Sequence, residues 1–259
     1  MPEITTEDGC RLHYRFDGRE NGPVVLLVNP LGATLDVWEE QVAALGDRFR
    51  LLRYDSRGHG RSAIPPGPYT IERLARDALA LLDTLGLPRI RCVGVSMGGM
   101  IGMWLGSHAG DRLERLVIAS STAYTGNRET WDERIAAVEE KGMAAVVPGV
   151  IERWFTPSFR EARPGVVERI AGMLRAASPA GYVASAAAVR DQDQRASLGS
   201  IAVPTLVIGA TQDGSTPVER AREIAAAIPG ARLVELEAAH LAMVEQAEAF
   251  NRHVMDFLA

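Results

Sequence analysis

Three residues far apart in the chain, Ser96, Asp213 and His240, are of the types that together perform acyl transfer. Ser96 lies in Gly94-Val95-Ser96-Met97-Gly98, between an apolar, β-branched stretch (Ile90 to Val95) and a Gly-, Met- and Leu-rich stretch (Met97 to Ser107). The first reads as a buried strand and the second as a buried helix. A serine between them occupies a sharp strand-to-helix turn that lifts its hydroxyl above the sheet edge. Glycine is needed at 94 and 98 because such a turn brings the strand and helix backbones too close for a Cβ. Free N–H groups at the helix start also favour an anion beside Ser96. The five-residue pattern is weak by itself, and the flanking elements give it weight.

A serine hydroxyl is a poor nucleophile at neutral pH, so it needs a base, and the base needs an orienting carboxylate. Around such an elbow these follow in the chain order serine, acid, histidine. Asp213 comes just after the predicted strand ending at Gly209, and His240 just after the one ending at Leu236. Asp191 and Asp193 remain alternative acids, and an Asx turn before Gly214 is the ordinary role for Asp213. Among the other histidines, His13 and His108 read as structural and His253 as a solvated helix residue, while His59 in Arg57-Gly58-His59-Gly60 reads as setting loop shape. The developing oxyanion needs donors, for which the backbone N–H groups of Met97 and of Leu31, in the loop after Val28, are the candidates. Losing one such donor typically costs ~3 kcal/mol of barrier. No paired-histidine spacing or cysteine cluster points to a metal, and no cofactor is expected.

The elements that must position these groups alternate along the chain. A hairpin is expected about Asp8-Gly9, then strands over Val24 to Val28, Phe49 to Tyr54, Ile90 to Val95, Leu113 to Ala119, Thr205 to Gly209 and Arg232 to Leu236. Helical spacing marks Leu35 to Leu45, Ile71 to Leu85, the elbow helix, Val218 to Ile228 and Ala247 to Phe257. This order predicts an α/β fold, a mostly parallel sheet covered on both faces with its active groups at the strand C-terminal ends. The alternation fails between the sixth strand and Thr205. Helices are expected there over Glu129 to Glu140, Ala144 to Trp154, Val166 to Ala176 and Gly181 to Asp191, with prolines as punctuation. Residues 123–195 therefore read as an inserted helical cap, and 1–122 with 196–259 as the core.

Composition narrows the class further. The chain has 259 residues, a formal net charge of -5 and two cysteines, Cys10 and Cys92. An acidic balance leaves no footprint for nucleic acid or an anionic membrane, and no apolar run reaches the ~20 residues of a membrane helix. Two cysteines make no disulfide framework. With no signal-peptide pattern at the N-terminus, a cytoplasmic protein is the expectation; oligomeric state is not readable.

Taken together, the segments Leu52-Arg53-Tyr54-Asp55-Ser56-Arg57-Gly58-His59-Gly60, Pro66-Gly67-Pro68-Tyr69-Thr70-Ile71, Gly94 to Gly102 and Glu152-Arg153-Trp154-Phe155-Thr156-Pro157 resemble the α/β-hydrolase superfamily, and within it the 3-oxoadipate enol-lactone hydrolases. The resemblance runs over nearly the whole chain. It implies an α/β-hydrolase fold, the triad Ser96, Asp213 and His240, and hydrolysis of a small enol-lactone that carries a carboxylate. Such a carboxylate calls for an arginine. Arg134 and Arg153, beside Trp131 and Trp154, lie in the cap, although a solvated helix face is the commoner place for either. Trp104 reads as core. Pro30 and the segment Leu241-Ala242-Met243 depart from the lactonase pattern at positions expected to border the pocket. A carboxylesterase, another lactonase or methylesterase, a cofactor-free perhydrolase, or a ligand-binding protein that keeps the triad therefore stay open.

Overall fold

Apolar runs separated by glycine- and proline-bearing loops assemble into one eight-stranded sheet in the computed structural model, which describes residues 2–259. The strands are β1 (Glu3–Thr5), β2 (Arg11–Gly18), β3 (Val24–Val28), β4 (Arg50–Tyr54), β5 (Ile90–Val95), β6 (Leu113–Ala119), β7 (Thr205–Ala210) and β8 (Arg232–Leu236), in the order β1-β2-β4-β3-β5-β6-β7-β8. β2 runs antiparallel to β1 and β4, and all later pairs are parallel. Central parallel strands are covered on both faces, which is why β3 and β7 are apolar almost throughout. The chain leaves β3 toward β4 on one side and later reaches β5 on the other. The loop after β3 and the elbow after β5 therefore meet at the point where strand order reverses, the usual crevice for a site.

The helices α1 (Glu39–Leu45), α2 (Ile71–Thr84) and α3 (Met97–His108) precede the break in alternation. Between β6 and β7 come α4 (Arg128–Lys141), α5 (Val147–Trp154), α6 (Pro157–Ala162), α7 (Pro164–Arg175) and α8 (Pro179–Asp191), and α9 (Val218–Ala227), α10 (Ala242–Glu245) and α11 (Ala247–Leu258) complete the chain. Several boundaries differ from expectation for local reasons. The stretch from Leu35 begins as a 3-10 turn, Leu35–Trp38, before α1. There Asp55 accepts the Leu35 N–H (2.8 Å) and Arg53 donates to its carbonyl (2.8 Å), so both groups are held sideways. The helix expected from Ala144 opens with a 3-10 turn after Gly142, and Pro148 fits only in the first turn of α5. Prolines 157, 164 and 179 start helices instead of separating them, which adds the unforeseen α6.

α3 packs against the sheet at backbone distance. A Cβ on Gly94 would stand 2.1 Å from the Gly98 carbonyl oxygen, and one on Gly98 would stand 2.0 Å from that of Val28. The helices between β6 and β7 are fastened to the sheet side at several points. A Cβ on Gly181 in α8 would meet the Gly58 carbonyl oxygen at 2.0 Å, and the Tyr69 N–H donates to Ala184 O (3.0 Å). At the other end the Leu241 N–H donates to Trp154 O (3.1 Å). No helix among the described residues is long and apolar enough to cross a membrane.

Candidate active site

Ser96 has φ 58° and ψ −117°, a backbone region that non-glycine residues rarely occupy. Such a conformation costs roughly 1–3 kcal/mol and persists only where the surroundings fix it. Here the Ser96 N–H donates to Ala119 O (2.9 Å), and the Ser121 hydroxyl donates to Ser96 O (2.8 Å). The peptide is thus pinned from β6 and the loop beyond it, and Ser96 lines a cavity of about 650 Å³. Leu31, Trp131, Arg134, Trp154 and His240 line the same cavity.

His240 is 2% exposed and lines the cavity. Its Nδ1 lies 2.7 Å from Asp213 Oδ2. Asp213 is saturated with donors: Oδ1 accepts the N–H groups of Ser215 (2.7 Å) and Thr216 (2.8 Å), and Oδ2 accepts the Thr216 hydroxyl (2.8 Å) as well as His240. Burial alone would raise its pKa, but the facing His240 and the hydrogen bonds from His240 and Thr216 hold the carboxyl below its ordinary value. A carboxylate so held fixes a histidine with Nδ1 protonated and Nε2 free to accept a proton. The Asx turn onto Ser215 and Thr216 and the bond to His240 coexist, so the two readings of Asp213 are not exclusive. Asp191 and Asp193 stand elsewhere, in exposed ion pairs with Arg190 and Arg195. His108 stacks on Trp104 outside the cavity, and His13 is buried on β2.

The loop after β3 turns at Pro30 to Ala33, where the Ala33 N–H returns to Pro30 O (3.2 Å) and Gly32 has φ 83°. Among the described residues, the N–H groups of Leu31 and Met97 have no hydrogen-bond acceptor. Of the segment after His240, Leu241, Ala242 and Met243 are buried in the core and do not line the cavity, contrary to expectation. Pro30 does not line it either.

On the opposite wall, Arg134 from α4 and Arg153 from α5 are half-buried, and neither has a carboxylate within ion-pair distance among the described residues. Arg134 lies over the Trp131 ring (4.9 Å to the centroid) and near that of Tyr182 (5.5 Å). Burial, and then the charge of Arg134, lower the Arg153 guanidinium from its ordinary pKa. Burial raises the Tyr182 phenol from its ordinary pKa, while the charge of Arg134 and a hydrogen bond with it oppose that rise. Sequence reasoning named Arg134 and Arg153 together without separating either from a solvated arginine, and it did not foresee Thr216 or Tyr182. No group of three or more metal-ligating side chains occurs among the described residues.

Comparison with known proteins identifies the family. The profile of the family described as alpha/beta hydrolase fold matches residues 23–247. The chain is 37% identical over 251 residues to 3-oxoadipate enol-lactonase 2 of Acinetobacter baylyi, a match that covers 97% of this chain and 94% of that protein. Among solved structures, a hydrolase from Pseudomonas aeruginosa PA01 superimposes with a TM-score of 0.97 at 47% identity, covering 100% of this chain and 98% of the other. The enol-lactonase from Burkholderia xenovorans LB400 also gives 0.97, at 42% identity and 99% coverage of both chains. The chain belongs to the alpha/beta hydrolase fold family, and it is an ester hydrolase.

Proposed function

We propose that the protein hydrolyses a small lactone or ester bearing a carboxylate, with 3-oxoadipate enol-lactone as the substrate that fits best, through an acyl-enzyme on Ser96. The observation that carries this reading is the pair Arg134 and Arg153, without carboxylate partners, in or beside the cavity that holds Ser96 and His240. Two half-buried guanidiniums on one cavity are mutually repulsive, and a bound carboxylate relieves that repulsion while gaining bidentate hydrogen bonds. The enol-lactonases among the similar proteins support the same substrate class.

In this reaction His240 Nε2 takes the Ser96 proton as Oγ attacks the ring carbonyl, and Asp213 stabilises the imidazolium that forms. The free N–H groups of Leu31 and Met97 receive the oxyanion. The carbonyl–oxygen bond of the ring breaks, the His240 imidazolium returns its proton to the departing enolate oxygen, and the enol so formed tautomerises to a ketone while still tethered to the acyl-enzyme. Water, deprotonated by His240, then frees Ser96 and leaves an open-chain acid. An enolate is a better leaving group than an alkoxide, so little acid assistance is required. Trp131 and Trp154 supply apolar walls, with Trp131 stacked beneath Arg134. The helices α4 to α8 form the cap over this reaction.

The test is turnover of purified enzyme on the enol-lactone and on a neutral aryl ester. Ser96→Ala abolishes both activities. Arg134→Leu raises KM for the carboxylate substrate about tenfold or more, as expected for a lost charge-assisted pair, and leaves KM for the neutral ester within about twofold. Aryl-ester hydrolysis without lactone turnover overturns the substrate and favours a carboxylesterase. Full activity of Ser96→Ala overturns the acyl-enzyme.

A further inference from the structure

Among the histidines that the reaction above leaves without a task, His59 is 2% exposed and bonded at both ring nitrogens. The Gly32 N–H points at His59 Nε2 at 2.9 Å, and Nδ1 stands 3.1 Å from the Arg57 carbonyl oxygen. A backbone N–H can only donate, so Nε2 must present its lone pair, and a carbonyl can only accept, so Nδ1 must carry the proton. The two bonds together define one neutral tautomer. Burial favours the same neutral form by lowering the imidazole pKa, against the smaller opposing influence of the Arg57 carbonyl.

The bonded N–H belongs to the peptide that joins Leu31 to Gly32. That peptide is the central one of the turn closed by the Ala33 N–H on Pro30 O, and Gly32 at its third position has the positive φ of a type II turn. Type I and type II turns differ mainly by a flip of this central peptide. An acceptor aimed at its N–H therefore selects one orientation. From the other side, a Cβ on Gly32 would meet Leu174 Cδ2 at 2.9 Å and Tyr182 Cε2 at 3.2 Å, so the turn is gripped between His59 and two cap helices. His59 is in turn anchored through its own loop, because the Arg57 guanidinium is tied to Asp77 and Asp8.

We infer that His59 is a positioning residue for the oxyanion loop: as the neutral Nδ1–H tautomer it anchors the turn at the Leu31–Gly32 peptide and so holds in place the preceding Pro30–Leu31 peptide, which carries the Leu31 N–H. This rests on the proposed role of Leu31 as a donor. His59 touches no substrate atom, and its effect reaches the reaction through the turn. A misaimed donor weakens the transition state much more than the ground state, so the effect falls on kcat.

The experiment compares His59→Leu, which removes the acceptor, with His59→Gln, whose amide oxygen reaches the position of Nε2. Both are assayed on a neutral aryl ester beside Ser96→Ala, with folding checked by thermal unfolding. Expected is a fall in kcat of about 10- to 100-fold for His59→Leu with KM within about twofold, the size seen when an oxyanion donor is lost or displaced. His59→Gln recovers most of that loss. Wild-type kcat in His59→Leu, or equal losses in two variants that unfold at the same temperature, overturns the positioning role while leaving the serine mechanism in place. If His59→Leu does not fold, His59→Gln with kcat as low as that of Ser96→Ala overturns it alone. Hydrolysis by Ser96→Ala at the wild-type rate overturns both readings.

Discussion

At the scale of single residues, Asp213 is held by more than the histidine it orients. Thr216 donates its hydroxyl to Asp213 Oδ2, the same oxygen that meets His240, and sits 3.3 Å from His240 Nδ1. A hydrogen bond to a charged group contributes about 1.5–3 kcal/mol. Thr216→Val keeps the shape and deletes the donor, so Asp213 is expected to move up in pKa and to hold the imidazole less firmly. Steady-state kinetics should show kcat down about tenfold with KM little changed, and an unchanged kcat would refute the role. Ser96, Asp213 and His240 are legible in the sequence because each stands just past an apolar run whose strand character is itself readable. Thr216 is not legible, since a threonine near an Asx turn has an ordinary local explanation. Arg153 is not legible either. What distinguishes it is that no carboxylate among the described residues comes within ion-pair distance and that the charge of Arg134, on another helix, acts on it, and both are properties of three-dimensional packing.

At the scale of elements, the elbow works because strand, turn and helix approach at backbone distance. The Gly98 Cα faces the Val28 carbonyl, and a Cβ there would need to sit 2.0 Å from an oxygen that belongs to a central strand. Neither side can give way cheaply, so Gly98→Ala is expected to cost about 3 kcal/mol or more, at the upper end of overpacking effects. Gly165 in the first turn of α7 is the control, since a Cβ there meets nothing within 4 Å. Gly165→Ala is expected to be neutral or to stabilise by about 0.5 kcal/mol. Urea unfolding midpoints of the two variants measure the contrast, and similar values would remove the packing argument. The same closeness explains what the sequence conveys about elements and what it does not. Long periodic runs such as α2 and apolar runs such as β3 carry their own signal. Short pieces such as α6 and α10 carry none, because six or four residues hold less than two turns of pattern. The 3-10 turn at Leu35–Trp38 depends on Asp55 and Arg53 from distant parts of the chain.

At the scale of the whole molecule, the helices between β6 and β7 are not held evenly. α8 is tied by the backbone approach of Gly181 to Gly58, by the Tyr69 N–H on Ala184 O and by the Thr125 hydroxyl on Val189 O (2.6 Å). It also buries most of its length. α4 buries Val138, and its polar ties to α8 are exposed ion pairs: Arg190 with Asp132 (2.6 Å) and Arg128 with Asp191 (2.5 Å). Surface pairs of this kind contribute about 0–1 kcal/mol each and are screened by salt. Yet α4 carries Trp131 and Arg134, two of the residues that wall the cavity. α4, one of the helices that wall the cavity, is therefore held to α8 by the weaker polar ties and is expected to be displaced before it. Amide hydrogen exchange should show α4 exchanging well before α8, with added salt speeding α4 selectively. Equal protection of the two helices would mean that the cap opens as one body, and substrate would then have to enter by breaking the Gly58–Gly181 contact. A bound carboxylate that bridges Arg134 on α4 to Arg153 on α5 should slow exchange in α4 above all. In that case substrate binding and closure of the cavity are one event, because the charge that the arginines lack is also the tie that α4 lacks.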